Sequence, residues 1–338
     1  MSNSVKIAVI GAGSWGTAIA ILLSKNGHSV HLWGHNKEHV KTISLERENS
    51  KYLKGAKIPE NIIISNSLKE CVSGILNIVM VVPSHGLREV FVNLLPFVEN
   101  GVRIISAVKG IENDTLMTMT RVMHQEITDY SSDLEFKIGV LSGPSFAEEV
   151  ARDVPTAVTI GFDDIITAKE MQNIFGSEYF RVYTSRDIIG LEISSSIKNI
   201  IAIATGVCDG LGYGLNTSAA LITRGLAEMK RLGIALNAEP ETFSGLSGIG
   251  DLLLTCTGNL SRNRKVGLKL GEGKKLNEII TEMSMVAEGV KTTKSVHGLA
   301  KSMGIEMPIM EQVYSILYEN KECSLAVKDL LDRELKVE

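Results

Sequence analysis

Cysteine is scarce, neither sign of charge dominates, and no apolar run reads as long enough to cross a bilayer. Four cysteines stand among 338 residues, at 71, 208, 256 and 323. None forms a Cys-x-x-Cys pair, so no disulfide framework or zinc array is expected, and the thiols read as reduced groups of a cytoplasmic protein. No metal is expected. A formal net charge of −4 offers nothing to a nucleic-acid backbone. The opening MSNSVKIAVIGAG lacks a basic n-region, a long apolar h-region and a cleavage site, so no signal peptide is expected. Repeats and low-complexity segments are absent. Hydrophobic content of 44% and charged content of 22% suit a globular chain. The length exceeds one ordinary core, so two domains are expected.

What the sequence does contain begins at once. Val5 to Ile10 is a short β-branched run, a candidate buried strand. Gly11-Ala12-Gly13-Ser14-Trp15-Gly16 follows, and then a helical run from about Thr17 to Lys25. A GxGxxG between a buried strand and a helix is a strong dinucleotide signature. Gly11 makes the tight turn, Gly13 lets a pyrophosphate approach the backbone, and Gly16 lets helix and strand pack. The anion then sits on the helix N-terminus. The second strand, HSVHLWGHN, ends without the acid that usually holds the ribose hydroxyls of NAD. His35 and Lys37 stand there instead, so NADP is allowed and NAD is not excluded.

Further apolar runs at 61–65, 76–84, 101–110 and 136–145 suit strands buried on both faces of a parallel sheet. Runs at 156–161 and 179–185 extend it. Helical segments separate them, which predicts an α/β doubly wound, Rossmann-like sheet over residues 1–189. Ligands of such a sheet bind beyond the carboxyl ends of its strands. Lys109 therefore stands where a ligand is expected.

From residue 190 to 338 the pattern is helical, an all-α second domain. ISSSIKNIIAIATGVC (193–208) places a single lysine, Lys198, in a helix apolar on most sides. Such a helix is buried, and a lysine pointing from it can pair with an anion or exchange a proton. Asn216 or Thr217 reads as the cap of the next helix. Asp251 opens the short apolar stretch DLLLTC. Ser261-Arg262-Asn263-Arg264 puts a capping hydroxyl and two guanidiniums at one helix start, which matches the needs of a phosphate. Glu288, in VAEGV, precedes a further helix.

GAGSWG, SAVKG, LSGPSFAEEVA, IKNIIAIATGVCDGLGYGLNTSAALITRGL, TFSGLSGIGDLLLTCT with SRNR, and VAEGV occur in this order over nearly the whole chain. Together they resemble the bacterial biosynthetic NAD(P)-dependent glycerol-3-phosphate dehydrogenases. The resemblance implies reversible reduction of dihydroxyacetone phosphate to sn-glycerol 3-phosphate, supplying phospholipid synthesis, in a homodimer; NADP or NAD serves, and the missing acid after the second strand slightly favours NADPH. It implies that Lys198 is the catalytic acid and base. Lys109, Gly143, Ser145, Asp251, Ser261, Arg262 and Asn263 would bind substrate. Ser14, Trp15, His35, Lys109, Ala147, Arg262, Val286 and Glu288 would contact cofactor. Many members carry arginine where His35 stands. Two other readings stay open: a dehydrogenase of 3-hydroxy acids, which needs a carboxylate site, and a sensor that binds NAD(P)H without turnover.

Overall fold

The computed structural model of the chain describes residues 4–283 and 287–334. Its ten strands are β1 (Lys6–Ile10), β2 (Ser29–Trp33), β3 (Glu48–Asn49), β4 (Leu53–Lys57), β5 (Ile63–Ser65), β6 (Asn77–Met80), β7 (Val102–Ser106), β8 (Phe136–Ser142), β9 (Thr156–Phe162) and β10 (Phe180–Ser185). Eight of them form one sheet, ordered β10-β9-β8-β7-β6-β1-β2-β5. The order reverses at β1, which pairs in parallel with β2 on one side and β6 on the other. That reversal opens a crevice at the carboxyl end of β1, as the sequence predicts.

Register aligns the strand ends. Ile10 stands opposite Met80, Met80 opposite Ser106, and Ser106 opposite Val140. The segments that follow β1, β6, β7 and β8 therefore leave the same edge of the sheet. The sheet is not wholly parallel: β8 and β9 run antiparallel. The link 143–155 carries only a five-residue helix, Ala147–Ala151. A parallel return needs a crossover, usually through a longer helix, so here the chain turns back along β8. A second departure is the small antiparallel hairpin β3–β4, which the sequence reading passed over.

By internal contacts, residues 1–109 and 118–191 form the sheet unit, and 110–117 with 192–338 form the helical unit. The sequence places the division at 189/190. The loop 110–117 is held within the helical unit by Ser295, whose Oγ lies 2.8 Å from Ile111 O and 2.9 Å from Asn113 Oδ1.

The helix Ile188–Gly210 is the spine of the helical unit. Asp187 caps it, its Oδ1 accepting from Gly190 N–H at 2.8 Å. Its serines and threonine are largely satisfied by their own helix: Ser195 and Ser196 donate to Glu192 O, and Thr205 to Ala202 O. The sequence reading finds no run long enough to cross a bilayer. By length and apolarity this helix would span a bilayer, yet 89% of its most apolar window is buried inside the fold. It is a core helix.

Helix Arg262–Gly271 crosses it at the closest range that backbones permit. An added Cβ at Gly206 would meet Arg264 O at 2.1 Å, and one at Gly210 would meet Leu268 O at 2.2 Å. Reciprocally, a Cβ at Gly267 would meet Ile203 O at 2.0 Å and one at Gly271 would meet Val207 O at 2.3 Å. Interaxial distance depends on the side chains at the contact, and here there are none.

Helix Leu215–Ala235 starts one residue before Asn216, with Gly214 at the cap and no side-chain bond. The expected Asn216 or Thr217 cap is thus displaced into the first turn. Further along, buried Glu228 caps another helix, Pro308–Tyr318, accepting from Ile309 N–H at 2.7 Å and Met310 N–H at 3.2 Å. Burial pushes its carboxyl from 4.5 up to about 7, against the pull of those two donors and of Arg231 and Arg333. Between these values the folded chain holds a proton that the unfolded chain has released. Stability is therefore full below 4.5 and falls as pH rises to about 7, by roughly 3 kcal/mol. Urea unfolding from pH 4.5 to 7.5 is expected to show this slope and Glu228→Gln to lack it; equal slopes would refute the assignment.

Candidate functional site

Residues of the sheet unit suit a dinucleotide. Gly11 has φ +130, and a Cβ there would stand 2.6 Å from Val81 O. A Cβ at Gly16 would lie 1.8 Å from Gly11 O, so the turn can close only with hydrogen at that position. A Cβ at Gly13 would meet nothing within 4 Å. That open side is where a pyrophosphate can approach the backbone. The helix begins at Ser14, not Thr17, with Gly13 as N-cap and no side-chain cap. Ser14 and Trp15 thus lie in its first turn, whose N–H groups are available to an anion. The loop is tied to β2 by Gly11 N–H donating to Trp33 O at 2.9 Å.

At the end of β2, His35 and Lys37 are exposed, and Asn36 caps helix Lys37–Glu46 by accepting from His39 N–H at 2.8 Å. The expected acid is absent from this strand end. Beyond β7, Ala107 and Val108 are buried and Lys109 is half-buried. Beyond β8, Gly143 has φ +139, and a Cβ would stand 2.9 Å from Val158 Cα, so only glycine fits. Ser145 Oγ donates back to Gly143 O at 3.0 Å, and Ala147 opens the short helix behind. The aligned register puts the glycine loop, Lys109 and 143–147 at one sheet edge.

The helical unit gathers the other set. Lys198 is 4% exposed and Asp251 1%. Lys198 Nζ donates to Asp251 Oδ1 at 2.5 Å and to Thr255 Oγ1 at 3.0 Å. Thr255 in turn donates to Asp251 O at 2.6 Å, one helical turn back. Asp251 is not a capping side chain. It opens helix Asp251–Thr257 directly after a π-helical turn, Leu246–Gly250, with Gly250 at the cap. A carboxylate and a hydroxyl thus hold the buried Lys198 amine in a hydrogen-bonded set.

Ser261 caps helix Arg262–Gly271, accepting from Arg264 N–H at 3.2 Å. The two guanidiniums differ. Arg264 is held by Asp209 at 2.7 and 2.9 Å, and Arg262 is the first residue of the helix. Asn263 is buried and its Oδ1 accepts from Gly289 N–H at 2.9 Å. A Cβ at Gly289 would stand 2.9 Å from Asn199 O. These contacts bring Asn263, the neighbour of Lys198 and the neighbour of Glu288 to one place. Glu288 opens helix Glu288–Ser302. Val286 lies outside the described residues.

Sequence reasoning missed Thr255. Its signal was the four-residue spacing from Asp251 in a helix, which puts both on one face. It also missed Asn199, a buried amide next to Lys198. Among the described residues no group of three or more His, Cys, Asp or Glu side chains is arranged to hold a metal.

Comparison with known proteins covers both units. Residues 6–168 match the model of the NAD-dependent glycerol-3-phosphate dehydrogenase N-terminus, and residues 187–328 match that of its C-terminus. A protein of Desulfotalea psychrophila named glycerol-3-phosphate dehydrogenase [NAD(P)+] is 59% identical, with 100% of each chain covered. One of the same name from Citrifermentans bemidjiense is 53% identical, with 98% of each covered. The crystal structure of glycerol-3-phosphate dehydrogenase from Coxiella burnetii superposes with a TM-score of 0.93 at 41% identity, covering 98% of this chain and 99% of that one. Each unit matches its own half of one family's pattern and relatives run the whole length, so the chain belongs to the NAD-dependent glycerol-3-phosphate dehydrogenase family.

Proposed function

We propose that this chain catalyses the reversible, NAD(P)H-dependent reduction of dihydroxyacetone phosphate to sn-glycerol 3-phosphate, with Lys198 as general acid and base. The observation that carries the reading is the buried Lys198–Asp251 pair in a chain of this family. A nicotinamide dinucleotide, when bound, supplies hydride chemistry at the substrate C2. Gly11, Gly13, Ser14, Trp15 and Gly16 would form the loop that holds its pyrophosphate, with His35 toward its adenosine end. Ala147, Arg262, Val286 and Glu288 are further cofactor contacts in this reading, as is Lys109.

Lys198 acts at the C2 oxygen. Negative charge grows there as the carbonyl is reduced, and a fixed cation stabilises that charge more in the transition state than in the ground state. Nζ then delivers the proton, and takes it back in the oxidation direction. Asp251 and Thr255 keep the ammonium aimed. Lys109 adds a second positive charge to the substrate, and Gly143 and Ser145 hold it by backbone and hydroxyl. Ser261, Arg262 and Asn263 grip the phosphate, which fixes the distance from the anion to the reacting carbon.

Several finer points rest on the resemblance and on local chemistry. The end of β2 lacks a carboxylate and carries His35 and Lys37, which favours NADPH modestly over NADH. Four free cysteines suit a cytoplasmic enzyme. The homodimer and the supply of glycerol 3-phosphate to phospholipid synthesis are carried over from the resemblance alone.

The test is absorbance at the reduced-nicotinamide band, with dihydroxyacetone phosphate and NADPH, then NADH. Oxidation that requires the phosphate group supports the proposal. Oxidation with 3-oxo acids instead would assign the substrate to the hydroxy-acid class, and binding of NADPH without oxidation of any substrate would make the chain a sensor. Arg262→Ala is expected to raise the KM for dihydroxyacetone phosphate on the order of tenfold or more, because a forked guanidinium is lost from an anion. An unchanged KM would leave the Ser261–Asn263 turn as a helix cap alone.

A further inference from the structure

The hairpin β3–β4 stands apart from the eight-stranded sheet, and one of its side chains reaches the glycine loop. Asn49 has no solvent exposure. Its amide donates one N–H to Ala12 O at 3.0 Å and the other to Thr17 Oγ1 at 2.8 Å. Its Oδ1 accepts from Tyr52 N–H at 3.3 Å, inside the hairpin. Both donors are therefore spent on the loop and the acceptor on the hairpin. Ala12 is the second residue of the GxGxxG turn, and Thr17 lies in the first turn of the helix behind it. The amide spans the turn from its beginning to its end.

The hairpin has apolar anchors besides this amide. Leu53, Ala56 and Ile58 bury apolar side chains in the core on the same segment. A buried amide costs free energy unless it is bonded, and both donors of this one are bonded where they fix the loop. We propose that Asn49 is a positioning residue for the dinucleotide. Through it the hairpin clamps the glycine loop and presets the direction of the N–H groups at Ser14 and Trp15. The inference rests on the reading of that loop as the cofactor site. Preorganisation of this kind lowers the cost of binding without touching the ligand.

The chain carries its own probe. Its only tryptophans are Trp15, inside the loop, and Trp33, whose carbonyl accepts from Gly11 N–H. Energy transfer from tryptophan to bound NADPH or NADH gives the cofactor Kd directly. Asn49→Ala is expected to raise that Kd, and the cofactor KM, on the order of tenfold, the ratio that roughly 1.4 kcal/mol of lost preorganisation produces. kcat at saturating cofactor is expected to stay within about twofold, since no reacting atom is touched. Leu53→Ala serves as the structural control, lowering Tm while leaving Kd unchanged. If Asn49→Ala fails to fold, Thr17→Val decides, because it removes one acceptor at constant shape and is expected to raise Kd by a smaller factor.

An unchanged Kd in the soluble Asn49 or Thr17 variant would overturn the proposal. So would a Kd that rises equally in Leu53→Ala, which would make the effect one of general stability. Failure of the unaltered protein to bind either nucleotide would instead overturn the reading of the glycine loop itself.

Discussion

Lys198→Ala is expected to lower kcat on the order of a hundredfold or more, the usual scale for loss of a positioned proton donor. In the proposed mechanism two effects combine. The proton at Nζ is removed, and so is the cation that would face the growing charge on the C2 oxygen. Lys198→Met keeps most of the volume and the apolar stem, so it separates chemistry from packing. Both variants are expected to lose turnover alike. The measurement is steady-state NADPH oxidation with saturating dihydroxyacetone phosphate, beside the cofactor Kd to show that the sheet unit is intact. Turnover near that of the unaltered protein in either variant would remove Lys198 from the acid–base role.

Asp251→Ala is the second large effect, and it is read first in stability. The change takes from the buried Lys198 the carboxylate that stands 2.5 Å from its Nζ. Breaking a buried pair by removing one side costs about 3–5 kcal/mol, because the remaining charge is uncompensated. Removing both sides is different. Lys198→Met with Asp251→Leu replaces the pair by apolar groups and is expected to recover most of that loss, while activity stays absent. Urea unfolding of the three variants settles it. A single Asp251→Ala change within about half a kcal/mol of the unaltered chain would mean that the pair is not buried in solution, a surface-like effect.

These two predictions draw on residues that were legible to different degrees. Lys198 was visible because a lone cation in an apolar helical period is unusual and the helix rule places it on one face. Its partner was only half visible. Asp251 begins a short apolar run, which from periodicity alone looks like a cap, and the π-helical turn before it has no sequence rule that moves the cap to Gly250. The glycine loop could be read in full, because its requirements are steric and local. The antiparallel β9 could not. Strand pairing sense depends on the length and course of the connection, and a five-residue helix within LSGPSFAEEVA does not announce itself. Hairpin β3–β4 was missed for a similar reason: two-residue β3 carries no alternation to detect. The 110–117 loop groups with the helical unit through the hydroxyl of Ser295, some 180 residues away in sequence, a contact beyond any local signal.

The glycine crossing described above has a metrical consequence. Helix Ile188–Gly210 carries Lys198, the proposed acid and base, and helix Arg262–Gly271 carries the proposed phosphate turn at its start. Side chains that separate two helices can change rotamer and let the spacing breathe. Here carbonyl oxygens of each helix face glycine carbons of the other, and main chain has no rotamers to change. The two helices therefore act as the fixed jaws of a caliper. In the proposed mechanism, a substrate gripped by its phosphate at one jaw meets Lys198 on the other only at that set gauge, which four missing methyl groups define.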